Sequence, residues 1–414
     1  MISLPLFADR LRATARTANI SPVTVLTRLL LGPVADPDGP GPRHTLLAVC
    51  PNSEAVARAA LRAAQEARTP LLYAATLNQV DRDGGYTGWT PDALAAFVAE
   101  EAERLDIEVP VFLGLDHGGP WAKDAHVSQP PSGLDAATAM TEAKRSVAAC
   151  IEAGYDLLHL DPAAGPPDAD TPLPIDTLID RTITLLHHAE SVRRTQDRAP
   201  IAYEVGTDEV RGGLQRADRM RTFLRRLHAT LDDRDLPNPS FVVGDLGTTL
   251  DSGHFDADRA RRLVTAASDE MNALVKGHYT DDVDTPSAAL EARLGRDSGV
   301  TDTLRTAVVE SERWTKWLHP AEQGCAFEDL PDDRQHWLVN TGSRYVWSAP
   351  AVEAARARLY KNVAPYRDAE AFVQWRLKTA ILHYMHAFNL TGLTDRLLEA
   401  LPEDVPWPQV VPSP

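Results

Sequence analysis

The chain has 414 residues with 42 Lys+Arg against 59 Asp+Glu, a formal net charge of −17. That balance excludes a general binder of nucleic acid or of anionic membrane surfaces, since both need clustered cations to neutralise phosphates. With 43% hydrophobic and 24% charged residues, and no run near the roughly 18 apolar residues that span a bilayer, the composition is that of a soluble globular protein.

The N-terminal stretch MISLPLFADRLRATAR carries Asp9, Arg10 and Arg12 too early for the apolar segment of a secretion signal. Cys50, Cys150 and Cys325 are widely spaced and form no CxxC pair, which suits reduced thiols better than a disulfide framework. The expectation is a cytoplasmic protein.

A helical lead over 5–30 runs into GPVADPDGPGPR (32–43), whose Pro and Gly density makes it a loop. A pattern then repeats: short apolar runs end in Gly, Asp, His or Pro, and each is followed by a helix-period segment. The runs are HTLLAVCP (44–51), TPLLYAAT (69–76), VPVFLGLDH (109–117), YDLLHLDP (155–162), PIAYEVGT (200–207), PSFVVGDLG (239–247) and NALVKGHY (272–279), with a weaker DSGVT (297–301).

Between them lie helical stretches. SEAVARAALRAAQEA (53–67) has Val56, Ala60 and Ala63 on one face, and TPDALAAFVAEEAERL (90–105) offers Thr90 as N-cap and Pro91 as the first helical residue. Eight strands each followed by a helix predict an α/β protein of the (β/α)8 TIM-barrel class. The first turn, CPNSEAV, lacks the glycine-rich fingerprint of a doubly wound sheet. The predicted domains are the lead and loop (1–43), a catalytic barrel (44–320) and a C-terminal helical appendage (321–414). Trp314, Trp317, Trp337 and Trp347 mark the approach to the appendage and its first helix. These tryptophans are read as packing of the appendage on the barrel. The tail WPQVVPSP is read as disordered.

Barrel chemistry collects at the C-terminal ends of strands, and the polar residues fall there. Asn78, Gln79 and Tyr86 follow strand two, Asp116 and His117 end strand three, and His159 and Asp161 end strand four. Glu204, Asp208 and Glu209 belong to strand five, Asp245 to strand six, Lys276 and His278 to strand seven. Strand alternation sets His159 and Asp161 on one side.

Burying such groups is expensive unless they are paired or bind a metal, so their convergence points to a divalent-cation site. Two histidines and a carboxylate with open positions suit catalytic zinc and other divalent metals. The candidate ligands are His117, His278 and one of Asp208 or Glu209, with His159 in reserve and Asp116 as acid/base. Glu204 and Glu209 are further catalytic candidates. Asn78, Gln79, Tyr86, His159, Asp161, Asp245, Lys276 and Ser298 are candidate substrate contacts. A phosphate site is sought at DSGVTDTLR (297–305), with Ser298, Gly299, Thr301 and Arg305. His187 and His188, mid-helix, are expected to have no catalytic role.

TLNQVDRDGGYTGWTP (76–91) resembles the NQVN-x-x-GGYTGMTP segment of the accessory subunit of class II tagatose-bisphosphate aldolase and of the related ketose 4-epimerases. LGLDHGGP (113–120) is similar to that family's GGDHLGP, LLHLDP to its IHLD, YEVGTDE to its Y-x-IGTE, and KGHYTDD to its HSTDY or HNADY segment. The likeness keeps its order over about 45–320. It implies a class II aldolase-like barrel with one divalent metal, zinc first and manganese, cobalt or nickel as alternatives. On that resemblance His117 and His278 match the metal histidines, Asp208 (or Glu209) the glutamate, and Asp116 the acid/base.

The implied function is a metal-dependent lyase or 4-epimerase of carbohydrate metabolism. It would act on a ketose or ketose phosphate by retro-aldol or enediolate chemistry, as a homo-oligomer or beside a partner aldolase subunit. A non-catalytic stabilising subunit is the alternative. HLDPAA lacks the serine of HLDAS, TDD lacks the tyrosine of HSTDY, and the loop at 32–43 is an insertion; these departures bear on the substrate.

Overall fold

The computed structural model describes residues 4–32, 45–127, 134–165, 172–207, 214, 216–244, 257–271, 273–275, 277–279, 299–366 and 368–401. Helices α1 (Leu4–Ala18) and α2 (Pro22–Leu31) precede the sheet and share its core. Ser21 caps α2 by accepting from the Val23 N–H at 3.2 Å, and Pro22 stands where its missing N–H costs nothing.

A parallel α/β sheet follows. Its strands are β1 (Leu47–Val49), β2 (Leu71–Thr76), β3 (Val111–Asp116), β4 (Leu157–Leu160), β5 (Ala202–Thr207), β6 (Phe241–Gly244), β7 (Leu274–Val275) and β8 (Gly277–Tyr279), in the order β7-β6-β5-β4-β3-β2-β1-β8. β7 and β8 are successive halves of one run: Leu274 sits opposite Phe241 of β6, while Gly277 sits opposite Leu47 of β1. Nearly every residue of β2 and β5 is buried, as expected for strands covered on both faces.

The eighth strand expected at 297–301 is corrected. Gly299, at φ 68°, precedes a helix that opens at Val300, so the GVT stretch starts a helix; residues 297–298 lie outside the described residues. The predicted run of eight separate strands gives way to seven runs, the last one split.

Helices α3 (Glu54–Ala67), α4 (Pro91–Arg104), α5 (Asp124–Val127), α6 (Ala136–Glu152), α7 (Ile175–Thr195), α8 (Ala217–Asp233), α9 (Ala257–Met271) and α10 (Val300–Ser311) alternate with or follow the strands. Thr90 caps α4 from 3.3 Å at the Ala93 N–H, with Pro91 behind it as read from the sequence. Beyond come α11 (Asp332–Val346), α12 (Pro350–Val363), α13 (Ala369–Ala387) and α14 (Leu393–Ala400).

Helix α3 explains its own composition. Besides Val56, Ala60 and Ala63 it buries Ala57, Ala59, Leu61, Ala64 and Ala67, because the sheet lies on one side and α13 on the other. Small side chains let α13 approach closely enough for Gln374 Nε2 to donate to Ala55 O at 3.2 Å. Leu377, Ile381 and Met385 of α13 belong to the same apolar core as Phe7, Leu72 and Leu401. Trp314 and Trp347 are buried in that core, Trp314 edge-on to Phe327 at 5.2 Å. Among the described residues no helix is long and apolar enough to cross a membrane. The tail from 402 lies outside the described residues.

Candidate functional site

The ends of β3 and β4 interlock. Strand β3 stops at Asp116, and His117 turns the chain with φ 49°, a left-handed conformation uncommon for a residue with a side chain and typical of functional turns. Gly118 and Gly119 then lie flat on β4: Gly118 N donates to His159 O at 2.9 Å, and Asp161 N donates back to Gly118 O at 3.3 Å. A Cβ on Gly119 would stand 1.8 Å from Asp161 O, so the DHGG sequence needs glycine there for close approach.

This contact brings four predicted residues together. His117 Nδ1 meets Asp161 Oδ2 at 2.7 Å, which directs Nε2 toward Asp116 Oδ2, 3.7 Å away. Asp161 Oδ1 accepts from Ala163 N at 2.9 Å, and Oδ2 also accepts from Thr207 Oγ1 at 3.3 Å. Burial pushes the Asp161 carboxyl up, but the His117 hydrogen bond and the histidine charges outweigh it and hold it below the usual carboxylate range. Asp161, expected as a substrate contact, is almost wholly buried and instead orients the His117 ring. The His117 side chain keeps 23% of its surface, so it is the reachable member.

His159 is fully buried between two groups that fix it. Nε2 lies 3.1 Å from Gly206 O, a group that cannot donate, so Nε2 carries hydrogen. Nδ1 lies 3.0 Å from the His117 N–H and 3.1 Å from Asp116 Oδ1. Nδ1 thus accepts from the His117 N–H, and its contact with Asp116 needs a proton on the carboxyl oxygen Oδ1. Burial lowers the His159 pKa, but Asp116 and the charge of Glu204, its partner in register on β5, raise it above the ordinary value.

Asp116, His117 and His159 have ligand-type atoms within 4.8 Å of one another and form a candidate metal cluster among the described residues. Hydrogen-bond chemistry divides the trio. Both His159 nitrogens are engaged, whereas His117 has its Nδ1 on a carboxylate and its Nε2 directed outward, as metal-binding histidines do. A separation of 3.7 Å between Nε2 and Oδ2 is near that of two ligands each about 2.0–2.1 Å from a tetrahedral ion. His117 with Asp116 fits a divalent cation; His159 acts on the backbone and on Asp116.

Asp208, Glu209, Asp245, Lys276 and Ser298 fall outside the described residues, and of His278 only the backbone is described, opposite Ala48. Asn78 and Gln79 brace their own loop. Asn78 Nδ2 donates to Asp124 Oδ1 at 3.2 Å, and Asp124 N returns a bond at 2.9 Å. Gln79 Oε1 accepts from Thr76 N at 2.8 Å while its amide donates to Asn52 Oδ1. Tyr86 Oη donates to Asn52 Oδ1 at 3.0 Å, and burial raises its pKa, keeping it a donor. Arg305, sought as a phosphate ligand, donates to Gln335 and stacks over Phe327 at 5.1 Å, so it serves the packing of α10 on α11. His188 Nε2 bonds Lys144 O at 3.0 Å on the outer layer.

Sequence reading missed two elements of this strand end. Thr207 is the last residue of β5, and its hydroxyl was unremarkable in YEVGT. Lys123, buried, ties Asp81 (2.8 Å) and Asp83 (2.5 Å), while Ser146 Oγ donates to Asp81 at 2.8 Å; the brace locks the loops after β2 and β3 together. The acidic pair in VDRDGG was the available signal.

Comparison with known proteins adds to this geometry. A structure from Sinorhizobium meliloti 1021, described as a probable tagatose 6 phosphate kinase, is 23% identical over 86% of this chain and 97% of its own, with a TM-score of 0.52. That likeness speaks to the fold. A fructose-bisphosphate aldolase from Campylobacter jejuni is 10% identical over 90% of this chain and 95% of its own (TM-score 0.43). The YdjI aldolase of Escherichia coli K12 is 11% identical over 78% and 94% (TM-score 0.36). Residues 36–232, a span that includes the GGYTG, DHGG and HLD segments, match the D-tagatose-1,6-bisphosphate aldolase subunit GatZ/KbaZ-like family model.

Proposed function

We propose that the chain is a divalent-metal-dependent aldolase-type enzyme or 4-epimerase acting on a ketose or ketose phosphate, with a (β/α) barrel joined through the run 272–279. The observation that carries this reading is the carboxylate–histidine pair, Asp161 on His117 Nδ1 at 2.7 Å, which aims Nε2 toward Asp116. A scaffold gains nothing from burying such charges.

In this reading His117 holds the cation, with His278 and one of Asp208 or Glu209 as the further ligands; zinc is the first choice. When bound, the cation polarises the substrate carbonyl and stabilises charge that develops as the C3–C4 bond of the ketose opens. Asp116 holds or accepts the hydroxyl proton at Oδ2, its basicity set by the proton between Oδ1 and His159 Nδ1. Glu204 lends negative charge to that pair. Release of the aldehyde fragment makes the activity an aldolase; retention and re-addition on the other face makes it an epimerase. The barrel is the catalytic unit, helices 321–414 an appendage, and the setting the cytoplasm.

The second reading, a non-catalytic stabilising subunit, is favoured by the family's description as an aldolase subunit. One experiment separates them. The purified, tag-free chain is assayed for bound metal and for turnover of a ketose-phosphate panel, with His117→Ala beside it. The enzyme reading expects about one divalent ion per chain and loss of both ion and turnover in the variant. A chain that stays metal-free when offered zinc, manganese, cobalt and nickel sinks it. Stabilisation of a co-expressed class II aldolase then supports the subunit reading.

A further inference from the structure

A cavity of about 350 Å³ lies between the N-terminal end of α3, the GGYTGW turn and helices α11–α13, and no residue of the Asp116–His117 centre lines it. Its lining comes from the segments after β1 and β2, which stand two and one strand spacings, about 10 and 5 Å, from β3 in the sheet.

Two of its side chains are polar and incompletely satisfied. Gln374 is 8% exposed; its Nε2 donates to Ala55 O, while its buried Oε1 has no partner among the described residues. Arg356 stacks on Trp347 at 4.2 Å and donates from Nη2 to Trp347 O at 3.1 Å, but its buried Nε has no partner. The carboxylate paired with Arg356, Glu353, is 4.0 Å away, beyond hydrogen-bond distance. Arg58, also on the wall, is already neutralised by Glu54 at 2.9 Å and Glu101 at 3.1 Å. Native structures rarely leave such buried atoms unpaired without a missing partner.

The chemistry of these atoms defines that partner. A guanidinium held by an aromatic face presents its edge to a carboxylate or phosphate. An amide oxygen needs a donor, which an anion cannot supply and a hydroxyl can. The volume suits a small ligand. We propose that this cavity is a binding site for a small polyhydroxylated anion, whose charged end meets Arg356 and whose hydroxyl donates to Gln374 Oε1. The inference does not depend on the metal centre being catalytic, since no residue of that centre lines the cavity.

The test is calorimetric titration of the full chain with three probes: D-glucitol 6-phosphate, D-gluconate and neutral D-glucitol. At least one charged probe is expected to bind at least tenfold more tightly than glucitol, and the ester-versus-acid comparison identifies which anion the site takes. Arg356→Gln and Gln374→Leu are expected to weaken that probe at least tenfold, with His117→Ala binding it like the wild type. Circular dichroism checks that the variants fold; should Arg356→Gln unfold, Arg356→Lys keeps the charge, loses the fork and is still expected to weaken binding severalfold. In the unaltered chain the probe should slow hydrogen exchange in 84–89 and 344–356. Glucitol binding as tightly as the charged probes, no probe binding at millimolar concentration, or Arg356 variants binding like the wild type would overturn the proposal. Loss of binding in His117→Ala alone would move the ligand to the metal centre and also overturn it.

Discussion

The ends of β3–β4 and β1–β2 are neighbours on one sheet, yet they are made of different materials. At β3–β4, Asp116, His117, His159 and Asp161 are titratable, mutually bonded and fixed by backbone contacts such as His159 to Gly206 O. At β1–β2, Asn52, Gln79 and Tyr86 are neutral and linked through one amide oxygen, under a wall that carries Arg344, Trp347, Glu353 and Arg356 from α11, α12 and the turn between them. Charge fixed in a buried network is suited to holding an ion and a proton, because its dipoles need no reorganisation. A neutral amide array beside a guanidinium held on the Trp347 ring is suited to recognising shape and an anion. On the two proposals above, chemistry and recognition are divided between adjacent strand ends.

The largest effect is expected where the charged end relies on glycine. Gly119→Ala thrusts a methyl group onto Asp161 O, with the Cβ at 1.8 Å; the chain must part β3 from β4. The expected cost is about 3 kcal/mol or more, read as a lowered urea midpoint together with lost metal binding. Gly85→Ala offers the matched break at the other end. There φ is 51° and a Cβ would lie 2.2 Å from Gln79 O, so the cavity should be lost while metal binding survives. If both variants lose both functions, the ends are one unit and the division fails.

Next in size is Asp161→Asn. The amide is isosteric but no longer holds His117 by charge, and removal of such a partner typically lowers metal affinity about 10–100-fold. Competition titration with a chelating dye reads the change. Affinity equal to wild type would mean that His117 is oriented by something other than Asp161.

Much of the charged end was legible in the chain because strands state their ends openly. VFLGLDH and LLHLDP are apolar runs that stop at their polar residues, and alternation alone put His159 and Asp161 on one side. Tautomer and partner were not legible: only the contacts with Gly206 O and the His117 N–H reveal that His159 carries its hydrogen on Nε2 and has its Nδ1 lone pair already engaged. The expected strand at 297–301 failed because GVT fits either a short strand or the first turn of a helix, and Gly299 decides it through a left-handed cap. The neutral end was hardest to foresee. Its wall depends on α13 meeting α3, a contact between residues 319 apart in sequence, and nothing local in AFVQWRLK distinguishes Gln374 from a surface glutamine.

A smaller effect contrasts the two ends of β4 itself. Asp161, at the C-terminal end, is held below its ordinary pKa, so its stabilisation is present above the unfolded value and is lost as pH falls. Asp156, at the other end, is pushed up to about 6 by burial, only partly offset by the Leu113 N–H at 2.9 Å. The fold thus binds the Asp156 proton more tightly than the unfolded chain does. Its contribution is complete below about pH 4 and is lost as pH rises through about 6. Asp156→Asn should abolish that loss and raise stability at pH 7 by about 1–2 kcal/mol, allowing for partial exposure of the carboxyl. Urea midpoints at pH 4, 6 and 8 check it; a wild-type slope retained in the variant would assign the titration to another group.

The smallest expected effect falls on the bridge between the ends. Asp124, which pairs with Asn78 behind β2, also receives Lys316 Nζ at 2.9 Å and Arg313 Nη1 at 3.4 Å from the segment before α11. Lys316 keeps 45% of its side-chain surface, and an exposed ion pair is worth only about 0.2–1 kcal/mol because water and salt screen it. Lys316→Ala should therefore lower the urea midpoint by no more than that, and by still less in 1 M salt. Asp124→Ala should cost more, since it also strips the hydrogen bond to the Asn78 amide, which salt does not screen. Arg313 remains to hold the segment in the lysine variant. A loss above about 2 kcal/mol in Lys316→Ala, beyond any exposed pair, would show that the C-terminal segment is a structural clamp across both strand ends and that they do not act independently.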